Sequence, residues 1–293
     1  MQPQSQATLT VHLMGGMGNQ LFQIATAYAY AKRYSMKLVL PITWDHAPDR
    51  RPVWEEYLDP STWTFLSPQE YASTDWLTIS EKGFAYIPLP DPSTLKKTTY
   101  YRLFGYFQSS LYFNEYADDL RILFKPPQPL LVASIESLVK AGMLMQPNWI
   151  GAHVRRGDYL KVAEYHLVCK AEYYTGARSF IESKTGLQQQ TCWFSEDPEW
   201  VKANLFREGD LIVYGNSVVD FTSLTYFNHL ILSNSSYSWW AAWLNSYYYP
   251  DDERVICCPD KWFGPSVKSN DQTIREAGWF VMDTNSGNLV AQV

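Results

Sequence analysis

The chain has 293 residues, 46% of them hydrophobic and 18% charged, which supplies a sizeable core and excludes disorder. A net charge of −6, with no long basic run, excludes a nucleic-acid partner, whose phosphates need a cationic stripe. No apolar run near ~18 residues and no basic leader is visible, and the four cysteines lack metal or redox spacing, so a soluble, cytoplasmic chain in a reducing compartment is expected.

TLTVHLM at 8–14 is β-branched enough to predict a strand, and GGMG at 15–18 breaks it. In NQLFQIATAYAYAKR (19–33), Leu21, Ile24, Ala25, Tyr28 and Ala29 share one helical stripe. Lys32 and Arg33 suit the helix's C-terminal end. KLVLP at 37–41 is a second strand, so the start is a βαβ unit and implies a parallel sheet. Residues 44–100 are punctuated by proline and predict long loops with short helices, the kind of region that carries binding. A helix over 127–140 precedes AGMLMQPN at 141–148, where the domain boundary is expected, between 146 and 147.

The strand–helix rhythm then resumes. WIGAHVR (149–155) predicts a strand, 171–184 a helix and 191–195 a strand. Asp197 as N-cap and Pro198 in the first turn open another helix. Strands are expected at 210–215, 229–233 and 254–259, and a helix at 238–245. The fold class is therefore α/β, in two halves.

Three stretches combine polar chemistry with strand ends. In WIGAHVRRGD, strand alternation puts Ile150, Ala152 and Val154 on one face, and His153 and Arg155 on the other. Arg155 and Arg156 then lie beyond the strand's carboxyl end, where open α/β sheets bind ligands. A guanidinium fork grips phosphate oxygens, and Asp158 can orient it; the structural alternative is an Arg–Asp pair that merely caps the strand. SNSSYSWW (233–240) brings serines and Asn234 to a helix start, either to cradle phosphate or simply so that Ser236 or Ser238 caps the helix. GGMGNQ (15–20) is no dinucleotide fingerprint, yet Gly15, Gly16 and Gly18 would let a ligand approach the backbone; the alternative is a tight turn. No D-x-D triplet offers a carboxylate holder for a metal bridging two phosphates, so arginine and amide dipoles are expected to neutralise a departing diphosphate.

Together, GGMGNQLFQIATAYAYA, LFGYFQSSLYF (103–113), HVRRGDY (153–159), FSEDPEW (194–200) and SNSSYSWWAAWLN (233–245) resemble the alpha-1,2-fucosyltransferases of glycosyltransferase family 11. HLVCKAEYY (166–174) and WFGP (262–265) fit the same pattern, while Ala241 stands where glycine is expected. The resemblance implies a GT-B-like fold of two Rossmann-like halves with parallel sheets facing a central cleft. It assigns 1–146 to the acceptor side and 147–293 to the nucleotide sugar. The implied reaction is an inverting, metal-independent transfer of L-fucose from GDP-β-L-fucose to the 2-hydroxyl of a galactose-terminated oligosaccharide, with no cofactor. The alternatives are another GDP-sugar on the same fold, or a non-catalytic carbohydrate-binding protein.

On this resemblance Arg155 binds the diphosphate, with Arg156 and Asp158 setting its geometry. His153, Asn234, Ser235, Ser236 and Ser238 are expected to line the nucleotide, and Gly15, Gly16, Gly18, Asn19 and Gln20 the other half; Asp220 is expected to accept from guanine only because a carboxylate fits its paired N–H donors. A general base stays unassigned among Asp45, His46, Glu55 and Glu56. The family's vertebrate members are anchored; this chain looks more like soluble bacterial forms, with room for peripheral membrane association.

Overall fold

The computed structural model describes residues 6–42, 51–143 and 149–293. Its elements in chain order are β1 (Thr8–Val11), α1 (Met17–Arg33), β2 (Lys37–Leu38), β3 (Leu40–Pro41), α2 (Val53–Glu56), β4 (Phe65–Leu66), α3 (Pro68–Ser73), β5 (Leu77–Ser80), β6 (Tyr100–Phe104), α4 (Ala117–Leu123) and α5 (Gln128–Lys140). There follow β7 (Trp149–Val154), α6 (Ala171–Thr185), β8 (Gln190–Ser195), α7 (Pro198–Asn204), β9 (Leu211–Val213), α8 (Ser217–Leu224), β10 (His229–Ile231), α9 (Ser236–Asn245), β11 (Val255–Pro259), β12 (Phe280–Met282) and β13 (Leu289–Gln292).

The chain forms two compact units. The first comprises Met1–Lys125 with Gln272–Ile274, the second Pro126–Asp271 with Arg275–Val293. The boundary expected between 146 and 147 lies outside the described residues. The units part earlier because α5 packs on α8 and so belongs with the second.

The first unit carries a parallel sheet of order β2-β1-β6-β5 and a two-stranded parallel β3-β4 pair. The region expected to be mostly loop therefore supplies β4 and β5. LTIS does alternate, with Ile79 buried between exposed Thr78 and Ser80, but its proline-rich surroundings hide the signal. α3 is fixed by a capping box: the Ser67 hydroxyl accepts from Glu70 N at 3.2 Å and the Glu70 carboxylate accepts from Ser67 N at 2.8 Å. α1 starts at Met17, two residues before expectation, so Gly18, Asn19 and Gln20 lie in its first turn.

The second unit is a seven-stranded sheet of order β13-β12-β11-β10-β7-β8-β9, parallel except for the antiparallel β13. Ile150, Ala152 and Val154 of β7 pack with Tyr173, Tyr174, Ala177 and Ile181 of α6 and with Trp193 of β8. Every residue of β7 is buried. β8 and β9 extend the sheet to one side of β7, and β10 returns on the other. The strand order thus reverses at β7, and in open α/β sheets a ligand crevice lies at the carboxyl end of that reversal. In the first sheet the same reversal falls between β1 and β6. The two Rossmann-like halves expected from the sequence are both present.

Candidate active site

In the second unit, register decides which side chains meet. Val154 pairs with Ser195 and Ile231 with Ala152, so Arg155, Glu196 and Ser233 emerge from neighbouring strand ends. Arg155 Nη2 donates to Asp158 Oδ1 at 2.6 Å, Nη1 lies 3.6 Å from Glu196 Oε1, and the guanidinium sits 5.2 Å from the Tyr159 ring. Its side chain stays 31% exposed. Arg156 is held harder. Its Nε donates to Asp197 Oδ2 at 3.0 Å, its guanidinium lies 4.0 Å from the Trp200 ring centroid, and its backbone N donates to Glu196 Oε1 at 2.9 Å. Asp197 also caps α7 as expected, accepting from Trp200 N. Arg156 therefore ties β7 to the turn after β8, and Arg155 is the more exposed of the two cations.

His153 is buried, with Nδ1 2.7 Å from Ser233 Oγ and its ring 4.8 Å from that of Tyr237. Burial, and then the Arg155 charge, push its pKa down to about 3, so the imidazole is neutral near pH 7. In the serine turn the N-cap is Ser235, which accepts from Tyr237 N at 3.3 Å. The cap expected from Ser236 or Ser238 is displaced because α9 already begins at Ser236. Ser238 is buried and donates to Ser233 O and Ser235 O, and Asn234 donates to Leu167 O at 2.8 Å and Trp262 O at 2.9 Å. These two hold the turn together. Ser235 and Ser236 stand at the α9 start, where first-turn amides point outward.

Asp220 lies in the first turn of α8, a helix capped by Asn216. Its Oδ2 accepts from Gly215 N at 3.1 Å, and burial raises its pKa to about 6. Tyr237 joins this helix to the arginines: its hydroxyl donates to Ser217 O at 2.5 Å and its ring packs 5.2 Å from Phe221. Burial raises its phenol pKa; Asp220 and Glu196 raise it further, and Arg155 opposes them. His153, Arg155, Asp220 and Tyr237 thus share one neighbourhood. Glu196 and Tyr237 are absent from the sequence-based candidates. Both lie inside the quoted motifs, but only strand register reveals what they touch.

In the first unit, Gly15 takes φ +78°, while Gly16 is the extended N-cap of α1 with φ −76° and no side-chain cap. A side chain on Gly15 would collide with Asn19, whereas one on Gly16 would meet open space. Gly18 is buried in α1. Gln20 is spent on structure: its Nε2 donates to Gly15 O at 3.2 Å and Arg51 O at 3.1 Å, and its Oε1 accepts from Val53 N at 2.9 Å. Asn19 Oδ1 accepts from Gln108 Nε2 at 2.7 Å, joining the glycine turn to the segment after β6. Of the base candidates, Asp45 and His46 lie outside the described residues, and Glu55 and Glu56 are exposed on α2. Among the described residues, no three His, Cys, Asp or Glu side chains group to hold a metal ion, and no helix is long and apolar enough to cross a membrane.

Residues 1–248 match the profile of Glycosyl transferase family 11. The O-antigen biosynthesis glycosyltransferase WbnK of Escherichia coli is 25% identical over 88% of this chain and 95% of its own length. An alpha-1,2-colitosyltransferase of Escherichia coli is 29% identical over 54% of this chain and 55% of that one. Rabbit (Oryctolagus cuniculus) galactoside alpha-(1,2)-fucosyltransferase 2 is 26% identical, covering 80% of this chain and 66% of its own. Among solved structures, NodZ alpha-1,6-fucosyltransferase co-crystallized with GDP aligns with a TM-score of 0.52 at 11% identity, covering 81% of this chain and 92% of NodZ. An Arabidopsis thaliana FUT1 variant in complex with GDP aligns at 0.53 and 13%, covering 89% and 73%. These alignments support the α/β architecture of two Rossmann-like halves.

Proposed function

The chain belongs to glycosyl transferase family 11, and from that premise we propose that it transfers L-fucose from GDP-β-L-fucose to the 2-hydroxyl of a β-galactoside, with inversion and without a metal. The observation that carries the reading is Arg155, a cation with about a third of its side chain exposed at the strand-order reversal of the second sheet. Relatives named as fucosyltransferases and fold neighbours crystallized with GDP give the donor its class.

In this scheme the second unit holds GDP. Arg155 forks onto the diphosphate as the bond from C1 to the phosphate oxygen breaks, stabilising the charge that leaves with GDP. Asp158 and Glu196 keep the guanidinium in place beforehand. Asp220 accepts from guanine N–H groups, neutral His153 backs the serine turn, and Ser235 and Ser236 line the phosphates. The acceptor hydroxyl attacks the opposite face of C1 and releases its proton to solvent water. A transition state with the C1–O bond largely broken asks little of a base, and none is assigned.

The colitosyltransferase relative favours one second reading, a colitose nucleotide donor at the same site. Incubation with GDP-fucose and lactose in EDTA, with the product linkage read by NMR, tests the first. An α1,2-fucosylated product under chelation is expected. Transfer that returns only with added divalent ion removes metal independence, and a higher kcat/KM with the colitose donor moves the assignment to the second.

A further inference from the structure

We propose that Glu81 is the positioning residue of the first unit's site: docked on the backbone after β6, it sets the turn that aims Gln108 at the glycine turn before α1. This rests on the reading of that unit as the acceptor side.

Glu81 directly follows β5, and its N donates to Phe104 O at 2.8 Å, extending the ladder to the carboxyl end of β6. From there its carboxylate reaches across and accepts from Tyr106 N at 2.8 Å and from Phe107 N at 3.0 Å on each oxygen. These are charge-assisted bonds to backbone amides, stronger than neutral ones. Burial raises the carboxyl pKa, and the two amides oppose that shift by favouring the ionised form. Gly105 permits the approach, because any side chain there would collide with the Glu81 side chain.

The turn so held is unusual. Phe107 takes φ +54°, a conformation that a bulky residue adopts only when its surroundings force it. Its ring is fully buried, 5.4 Å from that of Tyr112, and Ser109 N donates back to Phe107 O at 2.7 Å. Ser109 Oγ in turn donates to Thr273 O at 2.6 Å. Gln108, on this turn, is thereby directed onto Asn19, whose amide packs over Gly15. The geometry runs from carboxylate to turn, from turn to Gln108, and from Gln108 to the glycine turn. It lies at the strand-order reversal of the first sheet, where a ligand is expected. A side chain that touches no ligand can still govern how tightly an acceptor is held, because a turn already fixed in its binding form does not have to be ordered when the acceptor arrives.

The test is Glu81→Gln in the full chain, which keeps the shape but sets an amide NH₂ against backbone N–H donors. The expected result is an acceptor (lactose) KM raised by roughly tenfold or more, with kcat changed less than about threefold and the GDP Kd, by calorimetry, unchanged. A lower melting temperature with both the acceptor KM and the GDP Kd intact marks a purely structural role and overturns the proposal. A weakened GDP Kd with an intact acceptor KM overturns it differently, by showing that the first unit is not the acceptor side. Should Glu81→Gln not fold, Gln108→Ala carries the test: the same rise in acceptor KM supports the proposal, and an unchanged one overturns it.

Discussion

Two strand-order reversals, one in each sheet, are finished in different chemistry. Beyond β7 stand Arg155 and Arg156, balanced by Asp158, Glu196 and Asp197. Beyond β1 stand glycines and side-chain amides, with Gln20, Asn19 and Gln108 tied to backbone and to one another. The contrast teaches what each end can exchange. A partly exposed ion pair such as Arg155–Asp158 is worth little in solvent, so a diphosphate can take the carboxylate's place at small cost. Among the described residues this amide-lined turn offers no charge to trade, since the nearby Glu81 carboxylate is engaged by backbone amides, and it suits a neutral, hydroxyl-rich ligand. On the proposed reading, this difference sorts donor from acceptor.

The strongest way to break the comparison is at the charged end. Arg155→Ala is expected to lower kcat by roughly 100–1,000-fold, the effect of removing one donor that stabilises developing charge. Arg155→Lys is expected to stay within about tenfold of the alanine variant, because an ammonium cannot fork. Arg156→Ala should behave otherwise. With 15% of its side chain exposed, and both an ion pair and an aromatic face engaged, it is expected to cost about 1–2 kcal/mol of stability while activity per folded molecule falls far less. Thermal melts beside steady-state kinetics separate the two. A fully stable, inactive Arg156→Ala would erase the division of labour between the arginines.

Much of this is legible in the sequence. The alternation in WIGAHV marks β7, Asp197-Pro198 marks the start of α7, and the polar turn at 233–240 marks the start of α9. What escaped depends on partners distant in sequence. Ser217–Leu224, rich in β-branched and aromatic residues, has no element assigned to it from the sequence, yet the Asn216 cap and burial against α5 and α9 make it α8, the helix that carries Asp220. Glu196 reads as one acidic residue in FSEDPEW until Val154 and Ser195 are paired. Glu81 sits in a stretch read as loop, and its role requires β5 to lie beside β6. Sequence periodicity reports which face of an element is buried; it does not report which strand ends adjoin.

A smaller effect sharpens the charged end by its pH dependence. Burial raises Asp220 from 3.8 to about 6, so the carboxylate able to accept from guanine predominates only above that pH. GDP affinity is expected to fall by up to about tenfold per unit as the pH drops below 6, read by calorimetry from pH 5 to 8. Stability moves the other way. The folded state binds this proton more tightly than the unfolded one, so the group's stabilising contribution is complete below about 3.8 and is lost as pH rises through about 6. Asp220→Asn should weaken GDP roughly 10–100-fold at pH 7 and flatten this part of the profile. A variant that binds GDP like the parent takes the guanine role away from Asp220.

The least effect is expected at the neutral end, and it bears on whether that end meets a ligand at all. Gly15 and Gly16 are adjacent, but only Gly15 is required by the backbone: its φ of +78° and the crowding of Asn19 make Gly15→Ala destabilising whatever the function. Gly16 has φ −76° and open space where a side chain would project, so alanine there fits the free protein. Any loss on Gly16→Ala must therefore come from something that approaches this backbone in the working complex. An unchanged melting temperature with an acceptor KM raised about three- to tenfold is expected. If KM and kcat both match the parent, the glycine turn serves only to connect β1 to α1, and the contrast between the two strand ends reduces to one site and one bend.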